Sequence, residues 1–137
     1  MNYSLAKYDV KVLVAFGETF SEENGEFLNW LVKNGYPELA ALSSAIRGSE
    51  EAVRWLLTNK YRHYAALDAA IDKQLPAYRW LLANGHDLLA VFSDAVNQNS
   101  VAISWFKKHD LGIFLMLAKK INDFRENQTY DYHKIHF

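Results

Sequence analysis

The chain of 137 residues has no cysteine. That excludes a disulfide framework, a thiolate zinc site and a cysteine nucleophile. Charge of one sign is also missing: 15 basic residues face 16 acidic ones, for a net charge of -1. A general nucleic-acid binder carries a basic excess, so none is expected. No apolar stretch is long enough to span a bilayer, so no membrane role is expected either. The start, Met1-Asn2-Tyr3-Ser4-Leu5, lacks a basic segment followed by a long apolar one, so the expectation is a cytoplasmic protein without a secretory signal. There is no Gly-x-Ser-x-Gly, phosphate-binding glycine loop or dinucleotide fingerprint. No cofactor and no enzymatic activity are expected. What is present is a folding composition, with 50% apolar and 15% aromatic residues. A chain this long buries roughly two thirds of its unfolded surface in a single domain.

Its four tryptophans are Trp30, Trp55, Trp80 and Trp105, each 25 residues after the last. The flanking columns keep the same register. Leu31, Leu56, Leu81 and Phe106 follow the tryptophans, and Leu28, Val53, Tyr78 and Ile103 precede them by two. Further on come Leu42, Leu67, Phe92 and Leu117, then Ile46, Ile71, Val96 and Ile121. Two columns stay small for three units and then change: Ala40, Ala65, Ala90, Leu115 and Ala45, Ala70, Ala95, Lys120. Stacked units require this, because each side chain meets the same neighbours in the next unit.

A 25-residue unit holds two short helices. The first helices are predicted near 27–34, 52–59, 77–84 and 102–109, and the second near 37–47, 62–72, 87–97 and 112–122. Asn34-Gly35 and Asn84-Gly85 supply helix ends. Ser49 and Ser100 supply caps, and Pro76 suits a first turn. Residues 15–20 resemble 41–46, so 1–25 read as a degenerate N-terminal cap. Units 26–50, 51–75, 76–100 and 101–125 follow, with a tail at 126–137. Strand alternation is nearly absent. The expected fold is all-α, a right-handed α-α superhelix of four hairpins in one domain.

The run Gly48-Ser49-Glu50-Glu51-Ala52-Val53-Arg54-Trp55-Leu56-Leu57-Thr58-Asn59 resembles the second helix of an ankyrin repeat. Leu42-Ser43-Ser44-Ala45-Ile46 and Leu67-Asp68-Ala69-Ala70-Ile71 resemble the preceding ankyrin helix. The resemblance covers about residues 26–125. Ankyrin units are about 33 residues long. The missing length corresponds to the projecting β-turn finger, and the Thr-Pro-Leu-His signature is absent. The resemblance implies a fingerless ankyrin-like array that binds proteins rather than catalysing a reaction.

Several residues have structural explanations. The tryptophans read as a core ladder. Lys107, Asp110 and Lys120 read as capping substitutions in the last unit, against a functional basic patch with Lys108 and Lys119. Glu22, Glu23, Glu50 and Glu51 suit helix starts. His63, His86 and His109 fall in loops and read as solvated. His133-x-x-His136 with Asp131 lacks further ligands for a metal. Leu111–Leu117 is apolar almost all round and needs cover. The expected cover is the tail, through Phe124, Tyr130, Tyr132, Ile135 and Phe137, folded back over the last helix. A loose tail would instead expose that face for homodimerisation.

Partner recognition is placed on the second helices, where three rows vary while the core columns repeat. They are Ser43, Asp68, Ser93, Ala118; Ser44, Ala69, Asp94, Lys119; and Arg47, Asp72, Asn97, Asn122. Ser43, Ser44, Arg47, Asp68, Asp72, Ser93, Asp94 and Asn97 are the candidate contacts, on the concave side by ankyrin analogy. Tyr36, Tyr61, His86 and Tyr64 form a second candidate rim. The expected function is a non-enzymatic module for an unidentified protein partner. The alternative is a structural homo-oligomer built through the aromatic C-terminal face.

Overall fold

The computed structural model describes the backbone of residues 5–135 and the side chains of residues 5–128. Among them are nine α-helices and one 3-10 turn, Leu5–Lys7, with no strand. The helices are α1 (Val10–Glu18), α2 (Glu26–Lys33), α3 (Pro37–Ile46), α4 (Glu50–Thr58), α5 (Arg62–Ile71), α6 (Leu75–Ala83), α7 (Asp87–Val96), α8 (Ser100–Lys108) and α9 (Gly112–Ile135). Helices α3, α5, α7 and α9 begin 25 residues apart, as do α4, α6 and α8.

Local chemistry sets these boundaries. Ser49 caps α4 by accepting from the Ala52 amide. At α8 the cap is Asn99, accepting from the Ala102 amide, and Ser100 is already helical. Asn34, Asn59 and Asn84 each donate a side-chain N–H to the carbonyl of the tryptophan four residues back, at 2.8, 2.8 and 2.9 Å. The His109 ring meets the Trp105 carbonyl in the same way. The next residue, Gly35, Lys60, Gly85 or Asp110, takes positive φ in every unit. Asp110 therefore holds a turn conformation and does not mark a terminal cap.

Each tryptophan is half-buried and stacks on the next loop's aromatic: Trp30 on Tyr36, Trp55 on Tyr61, Trp80 on His86 and Trp105 on His109. They clamp loops and do not form the expected core ladder. The fully buried position is the next one, Leu31, Leu56, Leu81 and Phe106. Its side chains enter the core because α2, α4, α6 and α8 each lie over the groove between two successive inner helices.

The inner helices are α1, α3, α5, α7 and α9. Each packs on the next, and α9 packs back on α1. The ends of the array therefore meet and are not left as the open, capped ends that the sequence suggested. Leu42, Leu67, Phe92 and Leu117 are fully buried in this layer, joined by Phe16 from α1.

Closure explains two last-unit substitutions. A Cβ on Gly17 of α1 would lie 2.9 Å from a Leu117 methyl and 3.2 Å from the Lys120 stem, so only glycine allows this approach. Lys120, where earlier units have alanine, pairs with Glu18 at 3.1 Å and donates to Ser21. It fastens α9 to α1 and is not a solvated cap.

The tail does not fold back, since α9 continues unbroken to Ile135. Cover for Phe114, Leu117 and Ala118 comes from α1, α7 and α8 instead. Phe124 packs against Phe20. The side chains of Tyr130, Tyr132, Ile135 and Phe137 lie outside the described residues. Among the described residues no helix is long and apolar enough to cross a membrane.

Candidate functional site

The three variable rows meet different fates, because a helix in a closed inner layer has little free surface. Ser43 and Ser93 are 0% and 1% exposed. They are corrected from partner contacts to core positions: serine fits where the inner helices converge, if its hydroxyl is satisfied locally. Ser93 donates to the Ala90 carbonyl. Ser43 shares a 2.7 Å hydrogen bond with Thr19, tying α3 to α1. Ala118 of the same row is also buried.

Asp68 is the ionisable member of this inward row and is partly buried. Burial first, then the Asp72 charge, push its carboxyl up to about 7, while Arg125 pulls the other way. Arg125 of α9 pairs with Asp72 at 2.7 Å. Asp68, Asp72 and Arg125 thus form one cluster over the end of the ring where the inner helices finish.

The rest of that end is largely helix capping. Arg47 donates to Ser43 and Ser44. Asn97 donates to the Ile71 and Ser93 carbonyls, and Asn122 to the Val96 carbonyl. Each of these asparagines fastens its helix to the preceding inner helix by satisfying a terminal carbonyl.

The second row, Ser44, Asp94 and Lys119, borders clefts. Asp94 accepts from the Tyr78 hydroxyl at 2.7 Å, and this bond raises the phenol's affinity for its proton. Both line a cleft of about 370 Å³ with Ala70, Lys73, Leu75 and Asn97. One unit later, Ala95, Gln98, Ile103, Lys119 and Asn122 line another of about 510 Å³. Five lining positions correspond, 25 residues apart. Ser44 borders a further cleft between α2 and α4.

At the opposite end, sequence reasoning missed a partly buried network. The Tyr64 hydroxyl donates to the Tyr8 hydroxyl at 3.1 Å, and Tyr8 donates to Glu38 at 2.9 Å. Burial raises both phenols, so both stay protonated. Tyr64 is fully buried, not a rim anchor, and His63 is 6% exposed, not solvated. Burial first, then His86 and Lys7, hold the His63 imidazole at about 4. The signal was present: Tyr64 stands in a column with Leu39, Leu89 and Phe114, all core. Tyr36, Tyr61 and His86 remain half-exposed.

Among the described residues no group of three His, Asp or Glu side chains could hold a metal. The His133, His136 and Asp131 side chains lie outside the described residues. Of the basic set, Lys119 pairs with Asp123 and Lys120 with Glu18, leaving Lys107 and Lys108 exposed. Comparison with protein-family models, with curated proteins and with solved structures gave no match.

Proposed function

We propose that the chain is a non-enzymatic protein-interaction module, an array of ankyrin-like helical hairpins that receives a protein partner along the clefts of its second helices. The contacts are Ser44, Asp94 and Asn97 in the clefts, with Arg47 and Asp72 at the adjoining end. The observation that carries this reading is the recurrence of one cleft at equivalent positions with different polar side chains, Asp94 in one and Lys119 in the next. A constant frame with varied contacts offers shape and charge selectivity. Tyr78 and the helix caps hold these groups in place, so binding costs little ordering entropy.

The test is partner capture with wild type beside Asp94→Lys. A stoichiometric protein held by wild type and lost by an equally stable Asp94→Lys variant supports the cleft. Retention of that protein by both baits sinks this assignment of the surface.

A further inference from the structure

We infer that the outer layer holds one empty berth, over the α9/α1 groove, which docks a single amphipathic, acid-flanked helix from another polypeptide. The ring has five inner grooves. Four are roofed, by α2, α4, α6 and α8, and among the described residues no outer helix packs on both α9 and α1.

The berth can be read residue by residue against a filled example. The cleft between α2 and α4 has a floor of Pro37, Ala40 and Ala41, one wall of Glu51, Ala52 and Trp55, and a facing wall of Leu28 and Val32. A second cleft, of about 350 Å³, has a floor of Lys11, Val14 and Ala15 and one wall of Glu26, Phe27 and Trp30. These are the same positions one unit earlier, but the facing wall is missing. At the other end of the array, Ile103 and Lys107 stand where Leu28 and Val32 stand, over Leu115 of α9. There the following wall is missing. One helix of the eight or nine residues seen in α2, α4, α6 and α8 would complete both half-clefts.

The exposed lining defines the occupant. Val14 and Phe27 replace Ala40 and Ala52 with larger apolar groups, each 38% exposed, and Val10 beside them is 59% exposed. They call for two apolar side chains one helical turn apart, the role Leu28 and Val32 play within the chain. Lys120 and Lys119 are paired. Lys11 and Lys107 are exposed on opposite sides of the berth, with Glu26 as the opposing charge. The excess is positive, so the complementary helix is acidic on both flanks. Lys120 and Met116 already pack against Gly17, so the floor of the groove is closed before any occupant docks.

The probe is a fluorescein-labelled, hydrocarbon-stapled helix with two leucines one turn apart and glutamates on both flanks, titrated into the full chain by anisotropy. Saturable binding is expected. It should weaken by at least about 10-fold in Val14→Asp and in Phe27→Glu, and by about 5-fold in Lys11→Glu, with Leu57→Asp on the outer face of α4 and Asp94→Lys in the clefts unchanged. The two berth variants are at exposed positions and keep the wild-type melting temperature, which shows that lost binding is not lost folding. No binding at millimolar probe, or equal binding by Val14→Asp and Phe27→Glu, overturns the berth. A wild-type dimer that Val14→Asp dissociates, found by light scattering, overturns the assignment to another polypeptide, because a second copy is then the occupant.

Discussion

The two ends of the ring do the same job by different physics. Both tie one side of the α1/α9 seam to α5. At the end where the inner helices begin, Tyr8, just before α1, reaches Tyr64 through partly buried, neutral hydroxyls that end on Glu38. Where they finish, Arg125 of α9 reaches Asp72 through an ion pair whose side chains are 31% and 52% exposed. A buried bond resists salt but leaves a costly orphan when one partner is removed. An exposed ion pair is worth little and is screened. The two ends should therefore respond differently to mutation, pH and salt.

The largest effect should come from opening the α1/α9 seam, because both bridges depend on it. Gly17→Val drives a branched side chain into Leu117 and Lys120. A loss of about 3 kcal/mol is expected, seen as a melting temperature lower by roughly 10 °C. A normal melting curve would show that α1 and α9 do not close the ring. Next, Tyr8→Phe removes one hydroxyl from two hydrogen bonds and strips buried Glu38 of its tyrosine partner. About 2 kcal/mol should be lost, to the same extent in low and high salt. A strongly salt-dependent loss would show that this end, too, is held by solvent-screened charge.

The ends should also titrate in opposite senses. Asp68 is raised from 3.8 to about 7, so the folded state holds its proton more tightly than the unfolded state. Stability from this group is present at low pH and is lost as pH rises from about 4 to 7. His63 is lowered from 6.5 to about 4, so the unfolded state binds the proton more tightly. Its contribution is present above about 6.5 and is lost as pH falls towards 4. The two slopes oppose each other in one window. Asp68→Asn should leave a melting temperature that climbs with pH and exceeds wild type by several degrees at pH 8. His63→Phe should leave one that falls with pH and exceeds wild type near pH 4. Parallel pH profiles for the two variants would remove the opposition.

Helix positions were legible because their signals are local. Tryptophan spacing, Asn-Gly ends and Ser49 placed α2 to α8 within about two residues. Closure was not legible, because no short-range pattern states that residue 17 meets residue 117. Gly17 and Lys120 make sense only once α1 lies on α9; in sequence they look like a helix interior and a polar cap. Two of the eight candidate contacts failed for the same reason. Ser43 and Ser93 are polar and variable, which suits a solvent-facing row. Yet each lies on a helix with apolar residues on nearly every other side, and that argued for burial. Tyr64 belonged with its leucine column, not with the rim that its chemistry suggested.

The smallest effect should come from Arg125→Ala, and it separates the two ends most sharply. Losing the pair with Asp72 should cost roughly 0.5 kcal/mol in low salt and almost nothing in 1 M salt. That is a change of a degree or two in melting temperature, against the larger, salt-independent loss in Tyr8→Phe. The same variant carries a second, independent signature. Arg125 is the charge that opposes the upward shift of Asp68, so removing it should move the Asp68 titration above about 7. The stability decline should then extend further into the alkaline range. A carboxyl resonance of Asp68 followed by NMR reads this directly. An unmoved midpoint would show that Arg125 does not act on Asp68, and that the cluster at this end is two separate contacts.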